Sequence, residues 1–94
     1  AVATAPLMAA ACQQYRICGT GRCPAGVATQ DPELRKRLKI DQAAERVANY
    51  FRVTLEELKM FARITGHSRL HELSVDDLCT VSREISEFTS IPHA

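Results

Sequence analysis

Cys12-Gln13-Gln14-Tyr15-Arg16-Ile17-Cys18-Gly19-Thr20-Gly21-Arg22-Cys23-Pro24 is the stretch on which the reading of this 94-residue chain turns. Three thiols at C-x5-C-x4-C spacing sit on a segment that Gly19, Gly21, Pro24 and Gly26 keep from becoming a regular element. Soft sulfur ligands that converge on one point need such a backbone, able to wrap around a metal or cluster. Glycine supplies the φ angles a tight wrap demands and lets main-chain N–H groups approach the sulfurs. Arg16 and Arg22 flank the thiols and are placed to offset thiolate charge. Spacing alone leaves three chemistries open. An iron–sulfur cluster fits all three cysteines. A zinc site wants four ligands, and only Cys18 and Cys23 have the usual pair spacing. A disulfide framework suits the even count of four cysteines, but no secretion signal points to an oxidising compartment.

Upstream, AVATAPLMAAA over residues 1–11 is apolar but for Thr4. It is too short to span a bilayer and has no basic lead, so neither a membrane span nor a signal peptide is expected. An apolar start of this kind reads as an internal piece of a larger fold. We expect a buried strand over Ala1–Thr4, then a helix from Leu7 to about Gln13 with Pro6 at its start.

Downstream the pattern is helical to the end. Asp31-Pro32-Glu33 starts a short helix running to about Leu38. Asp41 is expected to cap the next helix, in which Val47, Phe51, Leu55, Leu58 and Ala62 form an inward stripe that Gly66 ends. Ser68 and Ser74 are read as caps of two short helices that turn Leu70, Leu73 and Leu78 inward. Ser82 is read as the cap of a last helix carrying Ile85 and Phe88, before Pro92. With no Trp, three Phe and two Tyr, the core is thin, and a chain this short needs a staple or a larger partner. Twelve basic against eleven acidic residues give +1, which argues against a nucleic-acid-binding surface.

The remaining candidate groups take plainer readings. Cys79 is read as a buried structural thiol, with a fourth cluster ligand as its alternative. His67 and His71 are read as surface or capping groups and His93 as mobile. Arg35, Lys36, Arg37 and Lys39 suit the dipole at a helix C-terminus and form a solvated face, or else a surface for an acidic partner.

The run from Cys12 through Cys23-Pro24-Ala25-Gly26-Val27-Ala28-Thr29-Gln30-Asp31-Pro32-Glu33-Leu34-Arg35 resembles the glutamate synthase family, as do Val47-Ala48-Asn49-Tyr50-Phe51 and the paired acids Glu56-Glu57. The likeness covers about residues 1–73; residues 74–94 relate only loosely to archaeal-type members. It implies a mostly α chain with an irregular cysteine-rich loop, the C-terminal part of a larger FMN-binding (β/α)8 barrel. Residues 1–11 would be the end of the last barrel strand and the following helix, 12–30 the cluster loop, and 31–94 a helical C-terminal segment. The resemblance also implies that Cys12, Cys18 and Cys23 ligate a 3Fe–4S cluster, or a 4Fe–4S cluster if Cys79 joins. Ala3 and Thr4 would touch the phosphate of FMN, Ala3 replacing the family's usual glycine, with most other flavin ligands outside this chain. The implied activity is glutamate synthesis from 2-oxoglutarate and ammonia derived from glutamine, in an oxidoreductase of which 94 residues are not a competent enzyme by themselves. Implied partners are the rest of the barrel, a glutaminase subunit or domain, and ferredoxin or an NAD(P)H-oxidising subunit as electron donor, in the cytoplasm. The alternatives are an N-methylglutamate synthase-type relative and a zinc-stapled helical interaction module.

Overall fold

The computed structural model describes residues 2–94. The chain divides into two compact units, Ala1–Thr54 and Leu55–Ala94. Four helices occur in order: α1 (Thr4–Ala10), α2 (Pro32–Arg35), α3 (Ile40–Ile64) and α4 (Arg83–Phe88). Single 3₁₀ turns lie at Cys18–Thr20, Leu70–Glu72 and Val75–Asp77. The only β pairing among the described residues is two isolated bridges, Arg22 with Thr29 and Thr80 with His93, so the mostly α expectation holds.

Helix α1 begins three residues earlier than expected. Pro6 falls in its first turn, where a missing N–H costs no hydrogen bond. Ala1 lies outside the described residues; Val2 and Ala3 join no bridge and Thr4 is already helical, so no strand forms over the described part of that segment. A strand needs neighbouring strands to satisfy its backbone, and none is at hand among the described residues. The helix ends where Ala11 turns to φ 147° and both Ala11 and Cys12 donate to Leu7 O, at 3.2 and 2.9 Å.

Helix α2 starts as the sequence says. The Asp31 carboxylate accepts from Glu33 N at 2.8 Å and Leu34 N at 3.2 Å, with Pro32 at the first helical position. Helix α3 differs at its start. Asp41 is inside the first turn rather than the cap, because Lys39 O already accepts from Ala43 N at 2.9 Å. An acid there still faces the positive dipole end, which is why it resembles a cap in sequence. In the first unit the line Ala43, Val47, Tyr50, Thr54 is covered, while Phe51 is 42% exposed. In the second unit Ala62 is buried, but Leu55 and Leu58 are exposed. The expected stripe is therefore only partly inward: its Phe51, Leu55 and Leu58 lie open.

Gly66 ends α3 at φ 82°, as expected. Ser74 Oγ accepts from Asp76 N at 3.2 Å and Ser82 Oγ from Ile85 N at 3.4 Å, so both serines cap. Ser68 does not: its own N–H and that of Arg69 donate to the Glu72 carboxylate, at 2.9 and 3.1 Å. Leu70 and Leu73 are half-buried, whereas Leu78 is exposed. His93 is tied rather than free, since Thr80 N donates to Pro92 O and Ala94 N to Thr80 O, both at 2.9 Å.

Candidate metal centre

The loop after α1 places its cysteines in different settings. Cys12 is half-buried, and its Sγ accepts from Gln14 N at 3.4 Å. Gln14 (φ 55°) and Arg16 (φ 58°) both take the left-handed conformation, which costs a non-glycine residue about 1–2 kcal/mol. Backbone strain of this sort gathers where geometry is imposed by function. Cys18 opens the first 3₁₀ turn and is exposed. Thr20 locks that turn: its N–H and Oγ1 both donate to Ile17 O, at 3.0 and 2.7 Å. Gly21, at φ 68°, closes it by donating to Cys18 O at 3.1 Å.

Cys23 has a different setting. The antiparallel bridge between Arg22 and Thr29 fences off the six residues between them, and Cys23 is only 7% exposed. The thiol is held below its ordinary range by nearby main-chain N–H groups, that of Ala28 first and those of Val27, Ala25 and Gly26 after it, although burial pulls the other way. Main-chain N–H groups near a thiol favour its charged form, and with the bridge that covers it they make a seat for the Cys23 sulfur.

The seat is pressed into shape from outside. Gly26 takes φ 78°, and a Cβ at that position would lie 2.6 Å from Leu34 O and 2.9 Å from Leu38 N. Only glycine lets the loop lie so close to α2 and the turn behind it. Arg37 Nη1 donates to Pro24 O at 3.2 Å, and Thr29 Oγ1 accepts from Asp31 N at 3.1 Å, so the loop is clasped at both ends. Sequence reasoning missed Arg37 because its partner lies 13 residues away. Pro24 after the last cysteine and the Asp31 cap were the visible signals of a shaped loop.

Of the residues singled out from sequence, Cys12, Cys18 and Cys23 share this one loop, but Cys23 alone sits in a prepared seat. Among the described residues, no three His, Cys, Asp or Glu side chains come within reach of a single metal ion. The donor chemistry nonetheless fits a thiophilic group: three soft thiols, that of Cys23 held below its ordinary range, with no carboxylate among them to select a hard ion. Ala3 and Thr4, at the start of α1, are both exposed. Cys79 is exposed, not buried as expected, because the segment Leu78–Cys79 leaves a 3₁₀ turn in extended backbone with little packed over it. His71 is exposed. His67 is half-buried, with Nε2 2.8 Å from Asp77 Oδ1. The Asp77 carboxyl is held below its usual range by the Ser74 N–H and then by His67. No helix among the described residues is long and apolar enough to cross a membrane.

Comparison with known proteins identifies the family of the segment that contains the loop. The family described as the conserved region in glutamate synthase matches residues 1–68. A glutamate synthase large subunit-like protein of Rhizobium meliloti is 43% identical over 74 residues, 79% of this chain and 17% of the relative. The glutamate synthase (NADH) of Schizosaccharomyces pombe is 42% identical over 71 residues, 76% of this chain and 3% of its own length. An archaeal-type glutamate synthase (NADPH) of Thermotoga neapolitana is 43% identical over 58 residues, 62% of this chain and 11% of its own. The chain thus spans less than a fifth of the length of each of these relatives. No solved structure matches it. The match over residues 1–68 takes in the whole cysteine loop with its clasp, and on that ground the chain belongs to the glutamate synthase family.

Proposed function

We propose that this chain is the iron–sulfur, electron-carrying segment of an FMN-dependent glutamate synthase-type oxidoreductase that forms glutamate from 2-oxoglutarate and glutamine-derived ammonia. Cys12, Cys18 and Cys23 hold a 3Fe–4S cluster, and Ala3 and Thr4 offer main-chain N–H groups to the FMN phosphate. The observation that carries the reading is a single clasped loop that holds all three cysteines and buries Cys23, whose thiol is held below its ordinary range. When bound, the cluster supplies a one-electron way-station between donor and flavin. The chain's own part is to favour the charged form of Cys23, to restrict water at its sulfur, and to hold the loop through Gly26, Thr29 and Arg37. The exposed Cys79 stays outside the ligand set. Substrate groups and most flavin ligands belong to the rest of a (β/α)8 barrel. A glutaminase subunit or domain, and ferredoxin or an NAD(P)H-oxidising subunit, complete the system in the cytoplasm.

The test uses the full-length protein, purified without oxygen. It should carry about three iron atoms per chain and absorb visible light. Cys18→Ser should lose the iron and Cys79→Ser should keep it. Stoichiometric zinc with no iron would replace this reading with a zinc-stapled module. In Cys12→Ser, donor-driven turnover should fall while chemically reduced flavin still converts 2-oxoglutarate and ammonia. Equal loss of both rates, with FMN released, would make the site structural.

A further inference from the structure

The second unit has a concavity of its own. Lys59, Ala62, Arg63, His67, Ser68 and Leu70 enclose about 260 Å³ where α3 runs out and the chain turns toward the Leu70–Glu72 segment. All six residues lie within Leu55–Ala94. At about 30 Å³ of liquid volume per water, that space takes one small ion with part of its hydration shell. The lining holds two cations, an imidazole and a hydroxyl, and no carboxylate. The dipole of α3 accounts for one cation in its last turn, Arg63. It does not account for a concavity whose lining leaves acids out.

The polar groups of the lining keep something to offer. The Arg63 side chain forms no ion pair among the described residues. Lys59 Nζ reaches Glu56 Oε1 at 2.7 Å, but the two side chains are 49% and 62% exposed, and so open a pair yields readily to a competing anion. The Glu56 carboxyl is held below its usual range chiefly by Lys59 and to a lesser degree by Arg63, so one acid outside the lining already feels both cations. His67 Nε2 lies 2.8 Å from Asp77 Oδ1. That carboxyl is held low by the Ser74 N–H and then by His67, so it accepts, and the proton of a neutral ring sits on Nε2. Nδ1, which makes no hydrogen bond among the described residues, is left as an acceptor. Buried Ala62 and half-buried Leu70 supply apolar wall, beside which charges attract more strongly than in open water.

We propose that this concavity is a binding site for hydrogen phosphate, whose charged oxygens are held by Lys59 and Arg63 and whose hydroxyl donates to His67 Nδ1. Ammonium and guanidinium groups only donate, so they ask for an oxyanion; the bare imidazole nitrogen asks for a proton donor. Hydrogen phosphate is both at once. A carboxylate has no hydroxyl and a single charge, and a phosphate ester, with its second pKa near about 6, has lost its hydroxyl by neutral pH.

The test uses the full-length protein at constant ionic strength and about pH 7.5, above the second pKa of a phosphate ester, with inorganic phosphate as probe. Amide exchange of residues 59–70 should slow as phosphate is added, and its concentration dependence gives the affinity of this site apart from any other in the protein. Arg63→Gln should weaken that affinity about tenfold, through loss of one charge-assisted pair. Glu56→Gln should strengthen it about threefold by releasing Lys59, the opposite of what loss of a merely structural ion pair would do. Lys39→Gln, an exposed cation just before the first residue of α3, should leave it unchanged. Phosphate that does not slow exchange of residues 59–70, or binding that Arg63→Gln does not weaken, would overturn the proposal. So would acetate or methyl phosphate protecting the segment as well as phosphate does, since neither brings a hydroxyl to His67.

Discussion

Replacing Gly26 with alanine should disrupt the Cys23 seat more than any other glycine substitution in the chain. Two costs combine there. A side chain at φ 78° pays about 1–2 kcal/mol for the left-handed conformation. The new Cβ must also push aside Leu34 O and Leu38 N, which sit 2.6 and 2.9 Å from its position. Both are backbone atoms that cannot rotate away, so about 1–3 kcal/mol is added, as for other overpacked sites. The sum centres on about 3 kcal/mol, or roughly a hundredfold in a local opening equilibrium at about 1.4 kcal/mol per factor of ten. Gly21→Ala and Gly66→Ala are the matched controls. Both glycines have positive φ, at 68° and 82°, yet no atom lies within 4 Å of an added Cβ. They should show only the conformational cost, about tenfold. The assay is amide hydrogen exchange in the full-length protein, following residues 25–28 for Gly26→Ala and the local turn for each control. If Gly26→Ala accelerates exchange no more than Gly21→Ala does, the close approach is not real and the account of the seat is wrong.

Other substitutions and conditions have equally definite outcomes. Asp31→Ala should cost about 1 kcal/mol through loss of the α2 cap, with Asp31→Asn nearly neutral, read as exchange of the Glu33 and Leu34 amides. Asp77 has a folded pKa below its unfolded value, so its contribution is complete above the usual carboxylate range and lost as pH falls through the lowered value. Acid should therefore loosen the segment from His67 to Leu78 in the wild type, and Asp77→Asn should remove that acid sensitivity; an unchanged pH profile in the variant would contradict the sign. Expressed as these 94 residues alone, the chain should be oligomeric, poorly soluble or partly folded, because among the described residues the buried apolar side chains are Cys23, Ala43 and Ala62, while Ile40, Ile64, Val81 and Phe88 are each more than 70% exposed. A monomer with a sharp cooperative melt would show the opposite.

What the sequence made legible was local. The caps at Asp31, Ser74 and Ser82 and the stop at Gly66 each depend on groups within three or four residues, and all four stand in the structure. The covered line of α3 was not legible, because its apolar sector is too wide for periodicity to choose a line. Val53, Met60 and Ile64 lie nearly opposite the expected stripe and are as apolar as the residues that pack. Asp41 misled for a related reason: an acid in a first turn and an acid at a cap answer the same dipole. In the candidate site the spacing of the cysteines was plain from the start. The difference between them was not, since it comes from the bridge between Arg22 and Thr29, the positive φ of Gly26 and the reach of Arg37 across 13 residues. The exposure of Cys79 likewise depends on what packs over it, which no window of sequence contains.

The three left-handed, non-glycine residues at Ala11, Gln14 and Arg16 make one end of the cysteine loop a weak hinge in time as well as in shape. Glycine would relieve the strain at Gln14, but would give up the Gln14 Nε2 contact to Met8 Sδ at 3.4 Å that ties the loop back to α1. The main-chain N–H groups of the loop from Gln13 to Ile17 find one partner, the Cys12 sulfur, whereas the turns after Cys18 and Cys23 close on the backbone. Breathing of the native protein should therefore begin beside Cys12 and reach Cys23 last, and a protease given limited time should nick between Gln13 and Ile17 while the Cys23 seat is still intact.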